Sequence, residues 1–477
     1  MELDASTVTF IVLGLESIFT VTSMCISWSS AALALLPLLT LIYLSKLSNR
    51  LQGPCNQATP FTKESLEQTT YNDIDLLKSV PSSPTSLSYT VIGGSGFLGT
   101  CIVRLLLLRG ETNIRILDLD PPSIKIASNP AVSFVKTDIT SLESIREALR
   151  PFDSTSARPS VIYHTAAIIR FWERLSYCWD ASYDINVQGV KNVITAAQEL
   201  PSAILIYTST CDTVIPRPKF LRLGWDLDNA PSMISDSDQP LSPLNLSQSC
   251  YSRTKLIAEE LVVKADNLTG LRAGVIRPGY AIIGPNDRLV TSTLIMSRVP
   301  VWDKHWSSTN ICVWDAAAAH LLLEDALIRD VKEARGQAFL VTGKDSAWRL
   351  QDTRDAVKHF ATRPVILNDV PPLLMFILAH LVEALLFVRY HALLFLFFPL
   401  GIKPRLVPKW MGQLVYLQPT TLEYLSDIVL DDSRARKILG YRPQWSNAQC
   451  IRYAVDEVES GNTGTSHGLQ LKSFNDS

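Results

Sequence analysis

The sequence predicts an α/β protein built on a doubly wound parallel sheet, and three observations predict it. A β-branched and aromatic run, Ser88 to Ile92, breaks on Gly93-Gly94-Ser95-Gly96 and restarts as an apolar helical run from Phe97. From Ser88 onward short apolar runs alternate with longer helical patterns, as strands joined by crossover helices do. The ends of those runs carry small residues, acids and hydroxyls, the types that the ligand-binding edge of such a sheet needs.

Residues 1–45 are apolar in two runs, Thr7 to Trp28 and Ala31 to Leu44, with Lys46 and Arg50 directly after them. A cleaved signal peptide needs a basic start, whereas this chain begins with Glu2 and Asp4. A retained anchor is expected, with the basic residues marking a cytosolic exit. The number of crossings stays open, because the second run is short and Glu16 interrupts the first. A polar linker over 46–86 is expected to separate this anchor from the main domain.

The glycine turn is the first candidate site. Gly93, Gly96 and Gly99 allow a tight turn, close approach of a pyrophosphate, and close packing of helix on strand. Phe97 and Leu98 open the helix whose unpaired N–H groups and dipole face the phosphates. A glycine pattern alone is weak evidence, as often only a turn. The second strand, Asn113 to Leu117, ends at Asp118, where an acid meets the adenosine ribose hydroxyls and repels a 2′-phosphate. NAD is therefore expected in preference to NADP, with Arg115 kept within its strand. After a third strand, Val132 to Lys136, Asp138 and Ile139 are placed at the adenine edge, with helix capping by Asp138 an equal alternative. The fourth strand, Val161 to Tyr163, runs into His164-Thr165-Ala166-Ala167, where small residues such as Ala166 let a cofactor pass and His164 reads as structural. A helix is expected to open at Asn186, and a fifth strand, Ile204 to Tyr207, ends in Thr208-Ser209-Thr210.

Tyr251 and Lys255, four residues apart at the start of a helical run, share one face. A phenol with a pKa near ~10 is a poor base at neutral pH, but a nearby ammonium and an oxidised nicotinamide both favour its phenolate. The spacing by itself is common on helix surfaces. Following a glycine turn, an acid and a hydroxyl-bearing strand, it points to a catalytic pair.

Together these residues resemble the extended short-chain dehydrogenases, more narrowly the family of 3β-hydroxysteroid dehydrogenases and sterol 4α-carboxylate 3-dehydrogenases (decarboxylating). The resemblance runs from about Thr90 to Pro443. It rests on Gly93-Gly94-Ser95-Gly96-Phe97-Leu98-Gly99, Tyr207-Thr208-Ser209-Thr210, Tyr251-Ser252-Arg253-Thr254-Lys255, and Arg277-Pro278-Gly279 with Gly284-Pro285-Asn286-Asp287. Ala318-Ala319-His320-Leu321, Gly336-Gln337-Ala338-Phe339 and Leu439-Gly440-Tyr441-Arg442-Pro443 extend it. It implies a Rossmann-type sheet with a smaller C-terminal substrate-binding region. It also implies Tyr251 as proton acceptor, Lys255 on the nicotinamide ribose and tuning Tyr251, and Thr210 positioning the substrate alcohol with Ser209 in reserve. Pro278 and Gly279 are implied beside the nicotinamide. The implied reaction is oxidation by NAD of a 3β-hydroxyl on a sterol, steroid or triterpenoid, with loss of a C4 carboxylate as carbon dioxide where one is present. A dehydrogenase coupled to double-bond isomerisation and a non-catalytic NAD-binding membrane scaffold are the alternatives. Ile92 where relatives carry threonine, Val341-Thr342-Gly343, and the segment after Pro443 depart from the family pattern.

The expected organisation is an anchor (1–45), a linker (46–86), an NAD-binding domain (87–280), a substrate region (281–370), a hydrophobic membrane-interface segment (371–400), a returning part of the substrate region (401–460) and a flexible tail (461–477). A net charge of -2, with basic and acidic residues mixed, asks for no nucleic-acid partner. A homodimer is allowed, though nothing in the sequence specifies it. Eight scattered cysteines read as reduced, with no metal site expected, and the sequons at Asn245, Asn267 and Asn475 as chance matches on the cytosolic side. The run from Pro371 to Leu400, interrupted by His380, Glu383, Arg389 and His391, is too short for two crossings. One crossing would part the glycine turn from Leu439-Gly440-Tyr441, so the segment is expected to lie in the interface beside the substrate entrance, with a buried core helix as the alternative. The expected location is the endoplasmic reticulum membrane, catalytic domain facing the cytosol.

Overall fold

The structure, a computed structural model, describes residues 30–53, 61–150, 160–217, 232–235, 247–267, 270–345, 347–423, 425 and 427–461. The first apolar run from Thr7 to Trp28, Cys25, Cys55, Asn245 and the tail with Asn475 lie outside the described residues.

Seven parallel strands form the main sheet: β1 (Ser88–Ile92), β2 (Ile114–Asp118), β3 (Val132–Lys136), β4 (Ser160–His164), β5 (Ile204–Thr208), β6 (Arg272–Pro278) and β7 (Ala338–Val341). Their spatial order is β7-β6-β5-β4-β1-β2-β3. Strand order reverses between β1 and β4, where Tyr89 pairs with both Ile114 and Val161. The carboxyl ends on either side of such a switch form the binding crevice. Alternation of side chains along each strand builds two cores. One face carries Val91, Ile116, Tyr163 and Ile206 under the helices α1 (Phe97–Arg109) and α2 (Val313–Ile328). The other carries Ile92, Leu117, Ile162 and Leu205 under α3 (Gly189–Gln198) and α4 (Cys250–Ala265). With both faces covered, the central strands are largely apolar, and all five residues of β5 are buried.

The expected division of the chain at residue 280 is not how the elements assort. β7, from the expected substrate region, completes the main sheet beside β6, and α2 covers that sheet. Conversely, Ser232–Ser235 leaves the nucleotide-binding half to pair with β8 (Ile428–Asp431) in a smaller sheet. Strand pairing satisfies backbone groups wherever an edge is open, without regard to chain order. The expected polar linker also differs. A single helix, Ser30–Gln52, runs through Lys46 and Arg50. Residues 61–86 then lie against the domain: Phe61 packs on Trp348, Tyr71 on Trp445 and Tyr453, and the Thr85 amide donates to Glu111 at 2.8 Å.

The helix expected at Asn186 starts earlier, at Trp179, and widens into a π-helical stretch over Asp184–Gln188. Such stretches aim side chains that a regular helix would carry elsewhere. Here Asn186 is the one aimed.

A long apolar helix, α5 (Pro372–Phe397), spans 26 residues, roughly 39 Å at 1.5 Å per residue. It is long and apolar enough to cross a membrane by length and composition. Met375, Phe376, Ala379, His380, Glu383, Leu386 and Tyr390 are buried, while Leu381, Leu385, Val388 and Phe395 are exposed. One face of the helix packs and the other stays exposed. Leu47 and Leu51 of Ser30–Gln52 join that packed face with Phe376 and Ala379.

Candidate active site

The glycine turn leaves room that no side chain can take. Gly93 adopts φ +81°, and a Cβ there would stand 2.6 Å from the Ala166 amide nitrogen. A Cβ on Gly99 would stand 2.1 Å from the Gly93 carbonyl, so helix and turn touch through backbone alone. Gly96 caps α1 without a side-chain bond, leaving the first-turn N–H groups at Phe97 and Leu98 to a ligand. The Phe97 and Leu98 side chains turn into the core. Asp118 ends β2 as expected. Its carboxylate accepts from the Ser95 amide at 3.0 Å and the Leu119 amide at 2.8 Å, which fixes it under the turn. Burial raises its pKa and these amides oppose the rise. Arg115 points away, donating to the Ala148 and Arg150 carbonyls at 2.7 Å. An uncapped helix start, a glycine cradle and an acid at the next strand end fit a dinucleotide.

Asp138 does not cap the following helix, because Ser141 does so by accepting from Ser144. Asp138 is exposed and accepts from the Thr140 amide at 2.9 Å and hydroxyl at 2.7 Å. Ile139 turns into the second core against Gly189, and its carbonyl accepts from the Asn192 side-chain amide at 2.9 Å. Pro278 ends β6, and the Gly279 amide donates to the Val341 carbonyl at 2.9 Å. A Cβ on Gly279 would meet the Thr309 carbonyl at 2.8 Å.

Tyr251 lies in the first turn of α4, where Ser249 caps the helix by accepting from the Tyr251 amide at 3.2 Å. The phenol is buried, and the Thr210 hydroxyl is among the groups that act on it. Burial pushes its pKa well above the usual phenol range, the Asp212 carboxylate pushes it further, and the Thr210 hydroxyl and Arg288 pull it back. Among the charges that act on the phenol, Arg288 favours the phenolate. Lys255 Nζ instead donates to the Thr208 carbonyl at 2.7 Å and lies 4.6 Å from the Tyr207 ring centroid. Burial lowers its pKa to about 7.

The strand end that carries Thr208, Ser209 and Thr210 is held from three sides. Ser209 donates to Glu259 at 2.5 Å, and Glu259 in turn receives the Arg277 guanidinium, its Nε at 3.1 and 3.2 Å. The reserve hydroxyl is thus committed to Glu259, while the Thr210 hydroxyl accepts from the Asp212 amide at 3.3 Å. The Thr208 hydroxyl pairs with His320 Nε2 at 2.7 Å, and His320 Nδ1 with the Ala316 carbonyl at 2.7 Å. A carbonyl only accepts, so Nδ1 carries the proton of this neutral ring and Nε2 accepts from Thr208. Burial keeps the ring neutral by lowering its pKa to about 4. His164 is fully buried, its pKa lowered to about 3 by burial and then by Lys255. Asn186 ties the loop after β4 to α4: it accepts from the Ile168 amide at 2.9 Å and donates to the Thr254 hydroxyl at 3.1 Å.

Sequence reasoning passed over Asp212, Glu259, Asn186 and Arg288. Glu259 alone had a signal, standing one helical turn beyond Lys255 on the same face. Asp212 lines a narrow cavity with Ile215, Arg217, Tyr280 and Glu423, and its carboxylate accepts from Ser252 at 3.2 Å.

A 27% identical relative over 399 residues is the Arabidopsis thaliana protein named 3beta-hydroxysteroid-dehydrogenase/decarboxylase isoform 2, matched over 79% of this chain. The chain spans 62% of that relative's length. Sterol-4-alpha-carboxylate 3-dehydrogenase, decarboxylating, of Schizosaccharomyces pombe is 27% identical, over 54% of this chain and 70% of its own. Among solved structures, UDP-glucose 4-epimerase of Thermus thermophilus in complex with NAD superposes with a TM-score of 0.52 and 18% identity, over 78% of this chain and 99% of its own. At that identity the likeness is one of fold. The model of the 3-beta hydroxysteroid dehydrogenase/isomerase family matches residues 90–351, more than half of the chain and all of the site residues above except Glu423, and the chain belongs to that family.

Proposed function

We propose that the chain is an NAD-dependent 3β-hydroxysteroid dehydrogenase of a membrane surface, acting on a sterol, steroid or triterpenoid and releasing carbon dioxide where C4 bears a carboxylate. The observation that carries this reading is the buried Tyr251 phenol with Lys255 one helical turn on, its Nζ on the Thr208 carbonyl, at the sheet end that carries the glycine turn. Gly93, Gly96, Gly99 and the amides of Phe97 and Leu98 would hold the pyrophosphate. Asp118 would hold the ribose, Asp138 with the Ile139 backbone the adenine edge, and Ala166, Lys255, Pro278 and Gly279 the nicotinamide half. The chemistry that a bound NAD supplies is acceptance of the carbinol hydrogen with its electron pair.

Tyr251, as phenolate, takes the hydroxyl proton as the C3–O bond becomes a carbonyl, and the Thr210 hydroxyl turns to that oxygen. Where C4 bears a carboxylate, the bond between C4 and the carboxyl carbon then breaks. Its electron pair passes into the C3–C4 enolate and carbon dioxide leaves. Tyr251, now protonated, and Thr210 donate to the enolate oxygen, and a proton from water returns to C4. The exposed side of α5, beside Leu38, Leu41 and Ile42 of Ser30–Gln52, supports attachment to a lipid surface through which an apolar substrate arrives. We infer the endoplasmic reticulum, with the catalytic domain in the cytosol.

Membranes carrying the protein, incubated with NAD and either a 4-carboxy-3-hydroxysterol or a plain 3-hydroxysteroid, are expected to form NADH and a 3-ketone, with carbon dioxide from the first alone. A conjugated enone would instead indicate isomerisation. No NADH with any 3-hydroxysteroid or triterpenoid, or unchanged cellular function in Tyr251→Phe, would return the reading to a non-catalytic scaffold.

A further inference from the structure

We infer that the end of α5 and the chain returning from it form a hairpin that dips into one leaflet of a bilayer, and that Arg389, Lys403, Arg405 and Lys409 around its base bind anionic phospholipid. The inference rests on the membrane attachment proposed above and names the lipid which that surface takes.

The packed face of α5 ends at Tyr390. From His391 to Ile402 no residue is buried, and Phe395, Leu396, Phe398, Leu400 and Ile402 are exposed, Phe395 at 82%. Before Tyr390 the helix exposes one side, whereas beyond it no side is covered. A stretch that is apolar all round and uncovered all round suits hydrocarbon.

The stretch also turns back on itself. Gly401 adopts φ +65°, its amide donates to the Phe398 carbonyl at 3.1 Å, and Pro399 has no N–H to leave unpaired. Arg389 Nη1 donates to the Arg405 carbonyl at 2.9 Å, which brings the returning chain level with Arg389. Met411 and Val415 then pack on Leu386. The hairpin is thus closed at its base. From Arg389 to Phe397 it rises roughly 12 Å at 1.5 Å per residue, less than the ~15 Å of half a hydrocarbon core. The tip therefore stays within one leaflet, and the chain leaves on the side it came from, where Tyr441 rejoins the domain through the Thr342 carbonyl at 2.7 Å.

The charges fall at that base. Between Glu383 and Glu423 the chain has no Asp or Glu, and its Lys and Arg residues there are Arg389, Lys403, Arg405 and Lys409, none of them within the tip. The two bounding acids are held by Arg174 and Arg217. Among the described residues none of the four cations meets a carboxylate. Lys403, Arg405 and Lys409 are exposed, and so is Trp410 at 69%, an aromatic of the kind that sits at headgroup depth. Cations without local counter-charge around an apolar tip complement the phosphates and carboxylates of an anionic leaflet. A second copy of the chain, docking through the same face, would instead bring like charges together.

The test uses the full chain in nonionic detergent, with native mass spectrometry of its complexes with phosphatidylserine or with phosphatidylcholine of the same acyl chains. Wild type is expected to bind phosphatidylserine about 10-fold more tightly, at roughly fivefold per cation engaged. The triple variant Lys403→Gln/Arg405→Gln/Lys409→Gln, which keeps Arg389 to close the hairpin, is expected to bring the two lipids within about twofold. Equal binding by wild type, or an unchanged preference in the triple variant, overturns the inference. A second measurement places the tip. In bilayers of lipid brominated along its acyl chains, the fluorescence that Leu396→Trp adds over wild type is expected to be quenched. Added fluorescence that stays unquenched overturns the hairpin, and a dimer found with it would assign the tip to a second copy. Wild type retained in membranes but without lipid preference overturns this inference alone, whereas wild type recovered in the soluble fraction after lysis overturns the membrane attachment as well.

Discussion

Tyr251 works against its surroundings. Burial and the Asp212 carboxylate favour the neutral phenol, while Thr210 and Arg288 favour the phenolate that the proposed reaction needs. Removing the Asp212 charge therefore lowers the phenol pKa. Asp212→Asn is expected to move the acidic limb of the kcat/KM profile to lower pH, raising the rate below that limb roughly 3- to 10-fold. An unmoved limb would remove Asp212 from this role. Glu259 acts at one remove, since it touches Ser209 and Arg277 and through them holds the strand end that faces Tyr251 and Lys255. Glu259→Gln keeps a hydrogen-bond partner for Ser209 but leaves the buried Arg277 charge uncompensated, a cost of about 3 to 5 kcal/mol. Urea unfolding should show that loss, and an unchanged midpoint would mean that the pair is not coupled to stability.

At the scale of elements, the loop after β4 links chemistry to the apolar helix. Arg174 meets Glu383 of α5 through two hydrogen bonds of 2.7 Å, and Tyr177 stacks on Tyr390 at 4.5 Å. The same loop binds Asn186 and the amide of Cys250. Glu383, an interruption in an apolar run to the eye reading the sequence, is thus a buried clasp. α5 and Ser30–Gln52 pack together and leave large apolar side chains exposed side by side. A protein lacking both 1–45 and 372–399 is expected to partition into the soluble fraction after lysis, whereas loss of either segment alone leaves partial retention. Membrane retention unchanged in the double deletion would sink the attachment proposed for α5.

Across the whole molecule, the site is assembled at a cost in stability. The Lys255 amine, its pKa lowered to about 7 by burial, is charged in the unfolded chain up to its ordinary value of 10.5. Between those two values the unfolded chain holds a proton that the folded protein has released, so stability rises with pH there, by up to ~1.4 kcal/mol per unit from this group. Lys255→Met is expected to lose NAD reduction and yet resist urea better at pH 7, with the difference from wild type shrinking toward pH 10. Parallel pH dependences in the two proteins would contradict this. The trade is the usual one, in which a group suited to chemistry is not the group that would pack best.

The sequence by itself determined the parallel sheet, the glycine turn, Asp118 at the end of β2, and the Tyr251–Lys255 pair. All are local: a two-residue or four-residue period, or a backbone conformation that only glycine tolerates, is written in neighbouring residues. Only the tertiary structure decided that Ser209 is committed to Glu259 and that Arg277 pairs with the same carboxylate. It also decided that 61–86 lies against the domain, and that Ser232–Ser235 and β7 each join a sheet far from their own part of the chain. Those outcomes turn on burial and on charges brought together across tens to hundreds of residues. An isolated arginine or serine carries no pattern from which its partner can be read, because the partner is set by which surfaces the core leaves to meet.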